Sequence, residues 1–143
     1  MISDQSVLLQ QLTLPGTPLM ARVQPRQVTW PNVPAGAQLP GYTGVSFRRS
    51  GGGPRTRTPV DAVRITFRVW GSTAAEAETT YRALVDTLHG QLNMRVALEG
   101  GASAILYLAR EVVVGAHQAD PDTGNPFVQS VWEIAYWRHT IAA

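Results

Sequence analysis

The chain has 143 residues, 44% hydrophobic and 15% charged, with a net charge of +2 and no cysteine. A chain this long buries roughly 70% of its unfolded surface, enough for one domain with its own core, and the lack of cysteine removes disulfides, thiolate metal sites and cysteine nucleophiles. All 12 basic residues are arginine, which removes lysine Schiff bases and the lysine of a phosphate-binding loop, and so small a net charge confines any attraction for nucleic acid to a local cluster.

The amino-terminal segment MISDQSVLLQQL lacks a basic leader. Ser3 or Asp4 can cap a short helix with Val7, Leu8, Leu9 and Leu12 as its apolar stripe, ended by Pro15 and Gly16. A strand over 20–28 is compromised by Pro25, and the stretch 25–41, with Pro31, Pro34 and Pro40, reads as an extended Pro-rich loop. Residues 42–48 alternate well enough for a strand. Ser50, Gly51, Gly52, Gly53 and Pro54 follow as a flexible tip, so 48–60 reads as an Arg/Gly hairpin loop.

The strongest local signal runs over 63–90. Val63, Ile65, Phe67 and Val69 fall on one face of a strand, while Arg64, Thr66, Arg68 and Trp70 fall on the other. Gly71 and Ser72 break the strand, and Thr73 followed by Glu76 matches a capping box. Ala77, Tyr81, Leu84, Val85 and Leu88 then recur at helical spacing, with Gly90 placed as a left-handed stop. Residues 92–98 suggest a short strand before a turn at Glu99, Gly100 and Gly101. Residues 105–114 and 127–137 predict an antiparallel hairpin joined through DPDTGNP. In that hairpin Ile105, Tyr107 and Val113 alternate with Leu106, Leu108, Val112 and Val114, and Trp132, Ile134 and Tyr136 with Val131, Ala135 and Trp137. Both faces therefore ask for cover. One long helix and one short one leave some of that surface to neighbouring copies, so self-association is the expectation. The predicted fold is a single α+β domain over 1–143, a mostly antiparallel sheet of about four to five strands packed against one long helix plus a short N-terminal helix.

Motifs for chemistry are weak. Asp120, Asp122 and Gly124 resemble a calcium loop only superficially, because Asn125 and Val131 stand where its glycine and glutamate belong. His89, His117 and His139 are dispersed, without zinc spacing. Ser46 follows Gly44, but Arg48 replaces the second glycine of a nucleophile elbow. The expectation is no enzyme, no cofactor and no metal. The distinctive cluster is Arg48, Arg49, Arg55 and Arg57, which flank the glycine tip without an intervening acid. This loop can face DNA, a partner subunit or solvent.

From Tyr42 to Trp137, and most clearly in ITFRVWGSTAAEAETTYRALVDTLHG and ADPDTGNPFVQSVWEIAYW, the chain resembles the tail terminator, or tail completion, proteins of long-tailed bacteriophages. The resemblance implies a small α+β virion protein that assembles as a hexameric ring. Such a ring caps the completed tail tube, ends its polymerisation and joins it to the head-proximal connector. The implied partners are sister copies, the tail tube protein and the connector or stopper protein, with non-specific contact with luminal DNA at most and no membrane. The implied location is the head-proximal end of the virion tail, after assembly in the host cytoplasm. The alternatives are another neck or tail structural protein, such as a connector, stopper or tube subunit, and a nucleic-acid-binding module that uses the Arg48 to Arg57 loop.

Overall fold

A computed structural model describes residues 4–30, 42–54, 60–97 and 102–140. Its elements in chain order are helix α1 (Asp4–Leu12), 3-10 turns at Leu19–Ala21 and Pro25–Gln27, strands β1 (Val28–Thr29), β2 (Gly44–Pro54) and β3 (Val60–Trp70), helix α2 (Ala74–Gly90), and strands β4 (Arg95–Ala97), β5 (Ala102–Ala119) and β6 (Pro126–Thr140). The strands form one sheet in the order β1-β2-β3-β6-β5-β4. The β1–β2 pair is parallel, and the others are antiparallel.

This corrects the expected fold. Instead of four to five strands carrying one long helix, six strands make a mixed sheet that curls into a half-barrel around the 17-residue α2, and strand dominates over helix. The extra strand residues lie where alternation is unreadable. β1 has two residues, and β4, with three, is a shorter version of the strand expected over 92–98. β2 continues through the Ser50–Pro54 stretch, with Gly51, Gly52 and Gly53 opposite Arg64, Val63 and Ala62, so the expected loop over 48–60 is strand on both sides of residues 55–59. Of the expected Pro-rich loop, Pro25–Gln27 is a 3-10 turn leading into β1, and residues 31–41 lie outside the described set. Main-chain groups pair with whatever strand lies alongside, so glycines that look like loop in isolation are held in the ladder.

The core lies on the inner face. Val63, Ile65, Phe67 and Val69 stand directly opposite Ile134, Trp132, Ser130 and Val128 of β6, and on the other side Gly52, Arg49, Phe47 and Val45 of β2 complete the same four rows. Val63, Ile65, Phe67, Val69, Trp132, Ile134 and Tyr136 are buried, packed with Tyr81, Leu84 and Leu88 of α2 and Val7, Leu8 and Leu12 of α1. A buried side chain of this kind contributes about 1.5 to 3 kcal/mol. Buried polar bonds tie the amino-terminal segment to α2: Thr87 Oγ1 accepts from Leu19 N at 2.9 Å, and Gln91 Nε2 donates to the Gln11 carbonyl at 2.7 Å.

The ends of α2 follow the expected residues in part. Thr73 Oγ1 accepts from Glu76 N at 3.2 Å, as an N-cap does. The return bond is displaced by one residue, because the Glu76 carboxylate accepts from the backbone N–H and hydroxyl of Ser72; these bonds hold the carboxyl below its ordinary pKa. Gly71 is required by close approach, since a Cβ there would lie 2.4 Å from the backbone N of Ala77. Gly90 is not the expected left-handed stop: it belongs to α2, and Asn93 is the residue with positive φ, at 63°.

Candidate functional site

The cross-strand rows place the predicted arginines. Arg48 and Arg49 are both exposed on β2, but they stand opposite Thr66 and Ile65 and so belong to opposite faces. Arg55 and Arg57 lie outside the described residues. The structure gives Arg48 other companions. On the outer face, one row runs Arg64–Glu133–Arg110, the next Arg48–Thr66–Val131–Val113, and the next Ser46–Arg68–Gln129–Ala116. Four arginines thus share this face with a single carboxylate among the described side chains of these rows. Arg110 pairs with Glu133 at 2.9 Å, Arg68 Nε donates to Gln129 Oε1 at 3.1 Å, and the Arg68 guanidinium lies 5.3 Å from the centre of the Phe127 ring. The alternation over 63–70 already put Arg64 and Arg68 on one face; their neighbour Arg48 needed the strand register.

The second feature is an open edge. β4 pairs with Ser103, Ala104 and Ile105 only, Leu92 forms an isolated bridge to Leu106, and Asn93 N donates to the Leu106 carbonyl at 2.6 Å. From residue 107 to 119, no strand among the described residues pairs with that side of β5. Against β6 the same strand slips register between Leu106 and Leu108, between Glu111 and Val113, and between Val113 and Ala116. Each slip inserts unmatched residues and bends the strand. The expected strict alternation over 105–114 is lost as a result, and Tyr107, Val112, Val113 and Val114 are 43%, 38%, 53% and 78% exposed. Among the described residues, most of the exposed large apolar side chains lie along this edge, Met94 and Trp137 being the others; on the outer face of β6, Ala135 is buried and Val131 half-buried.

A polar clamp holds the bent stretch against α2. Glu111 Oε1 accepts from the Tyr81 hydroxyl and from Gly115 N, the latter at 2.6 Å. A Cβ on Gly115 would meet the Tyr81 ring and Val128 at 2.9 Å. Burial first, and then the hydrogen bond to the Glu111 carboxylate, push the Tyr81 hydroxyl well above its ordinary pKa. A tyrosine held neutral in this way orients a carboxylate. Farther along, His117 Nε2 lies 2.9 Å from Glu78 of α2.

The remaining sequence candidates separate in space or are absorbed into structure. Asp120 Oδ1 accepts from Asp122 N at 2.8 Å and Thr123 N at 3.2 Å, and Gly124 has φ 73°, so the acidic run closes its own turn. Ser46 is buried beside the indole of Trp70. The His89 ring packs 5.6 Å from the Trp132 ring centre at the end of α2. Among the described residues, no three His, Asp or Glu side chains converge as metal ligands, and no helix is long and apolar enough to cross a membrane.

The open β5 edge was only partly visible in sequence. The aliphatic run VVV was legible; its exposure depends on β4 beginning only at Arg95, opposite Ile105. No protein-family model matches the chain, and no curated protein matches it.

Proposed function

We propose that this chain is a structural subunit that acts by assembling with copies of itself, as a ring capping the tail tube of a long-tailed bacteriophage at its head-proximal end. The observation that carries the reading is the exposed valine row on the unpaired edge of β5. Such an edge is a template for strand addition, and natural proteins otherwise blunt or cover it. In a head-to-tail ring the two axial faces differ, so one face can match the last layer of a tube and the other can refuse a further layer. Termination then needs geometry and no reaction. The connector, stopper and tube roles share this chemistry and differ in which partner each face accepts.

Native mass measurement of the purified chain, alone and with tail tubes, tests the reading. A closed oligomer, six copies in the expected case, that binds tube ends and stops elongation supports it. A monomer that leaves tube growth unchanged overturns it.

The outer arginine face favours a second reading, binding of nucleic-acid phosphate by Arg48, Arg64, Arg68 and Arg110. Phosphate contacts release counterions, so affinity would fall steeply with salt. Replacing Arg48 and Arg64 by Gln should then flatten the salt slope by about one per lost contact; an unchanged slope removes this reading.

A further inference from the structure

We infer that the assembly closes by strand addition between unlike edges, with residues 107–115 of β5 in one copy pairing antiparallel with residues 47–54 of β2 in the next. This rests on the ring reading above and specifies its interface. The first ground is that the sheet is open at both of these places. β1 covers only Val45 and Ser46 of β2, so among the described residues no strand lies along the outer side of β2 beyond Ser46. The far part of β5 is open in the same sense.

The second ground is direction. β2, β3, β6 and β5 alternate in sense, each antiparallel to its neighbour, so β2 and β5 run opposite ways. A copy brought up by head-to-tail rotation about an axis along the strands presents β2 antiparallel to β5, and the alternation continues across the join.

The third ground is charge, which selects β2 as the occupant. Following the rows across the sheet, Arg49 is level with Ile65, Trp132 and Glu111, and Arg48 is level with Thr66, Val131 and Val113. With no axial shift between copies, Arg49 of one copy therefore meets Glu111 of the next on the inner face, and Arg48 meets Val113 on the outer face. The guanidinium then lies beside a carboxylate that the Tyr81 and Gly115 bonds hold in place, and the stem of Arg48 covers a valine. Pairing β5 with β5 about a two-fold axis would instead bring the Glu111 regions of both copies into one short interface, at a cost from like charge.

The absence of cysteine makes the test clean. Introduced cysteines in neighbouring strands reach disulfide distance only when their Cβ atoms lie about 3.5–4.5 Å apart. Three double variants sample the register on the outer face: Arg48→Cys with Arg110→Cys, with Val113→Cys, or with Ala116→Cys. Under mild oxidation at least one, and Arg48→Cys with Val113→Cys if there is no axial shift, should give a ladder of covalent multimers ending at the ring. The single variants should stay uncross-linked. Val114→Asp, at an exposed site, should keep the wild-type melting temperature when both are measured below the assembly concentration and raise the concentration needed for half-assembly at least ~10-fold, since a buried charge in an interface is costly.

Covalent dimers from Val113→Cys alone would overturn the inference in favour of two-fold pairing. An intact oligomer with no cross-link in any double variant would overturn the inference and leave the ring reading standing. A monomer in native mass measurement would overturn both.

Discussion

The two halves of β5 are built from similar aliphatic residues and end in opposite environments. In the near half, β4 lies on one side and β6 on the other, and Ala104 and Leu106 are fully buried. In the far half β6 is the only partner among the described strands, the register slips twice, and three consecutive valines are exposed. Hydrophobicity alone does not place a residue inside. A second strand and a regular register do, because they turn alternate side chains toward the core and leave the others to the opposite face.

Replacing one residue in each half should break the symmetry most sharply. Leu106→Ala removes a buried side chain and should cost about 2–5 kcal/mol, read as a lower urea midpoint with unchanged slope. Val114→Thr should stay within about 0.5 kcal/mol for the isolated copy while weakening assembly. If both variants lose the same stability, the far half is covered within one copy and the assembly reading fails.

The clamp that holds the far half to α2 is the next place to press. Gly115→Ala forces a Cβ against Tyr81 and Val128 and should cost about 1–3 kcal/mol by overpacking, measured by thermal melting. The same clamp has a pH signature. Because folding raises the Tyr81 pKa above its ordinary 10.0, the folded state retains a proton that the unfolded chain releases. That stability is fully present below pH 10 and is lost as pH rises through the tyrosine range and above it. Tyr136, fully buried, is shifted in the same direction by desolvation. Melting temperature should therefore fall between pH 9 and pH 11, and Tyr81→Phe should remove part of the fall and leave the part due to Tyr136 and to Tyr42, which burial shifts the same way. A fall of the same size in Tyr81→Phe would mean that Glu111 is oriented without the tyrosine.

The smallest effect is expected on the outer face. Arg110→Ala breaks an exposed ion pair with Glu133 and should change stability by less than about 1 kcal/mol. If it costs as much as Gly115→Ala, then the outer face is a structural network, and reading its arginines as available to a partner is wrong.

Local patterns were legible wherever the cause of structure lies within a few residues. The alternation of Val63, Ile65, Phe67 and Val69 correctly marks the buried face of β3, and Thr73 correctly marks the start of α2. Of the predicted stripe, Ala77, Tyr81, Leu84 and Leu88 are buried as the spacing predicts, while Val85 is half-buried against the core. The Ser50–Pro54 segment was read as a flexible tip because glycine weakens a strand in isolation; its partner, β3, begins six residues after Pro54. In the candidate site, Arg48 and Arg49 were recognised, but they look like a pair in sequence and stand on opposite faces of the sheet. Arg110 could not be grouped with Arg48 until β6 had been placed between β3 and β5.

By itself, then, the amino-acid order determined the N-cap of α2, the helix stripe, the inner face of the central strand and the chemistry that the chain lacks for want of cysteine and lysine. Capping and amphipathic period act over about one helical turn or two strand residues, so neighbouring residues suffice to specify them. The number of strands, the half-barrel curvature, the outer arginine rows and the exposed edge were decided only in three dimensions. Each depends on which distant segment supplies the hydrogen-bonding partner, where its register slips and where it stops.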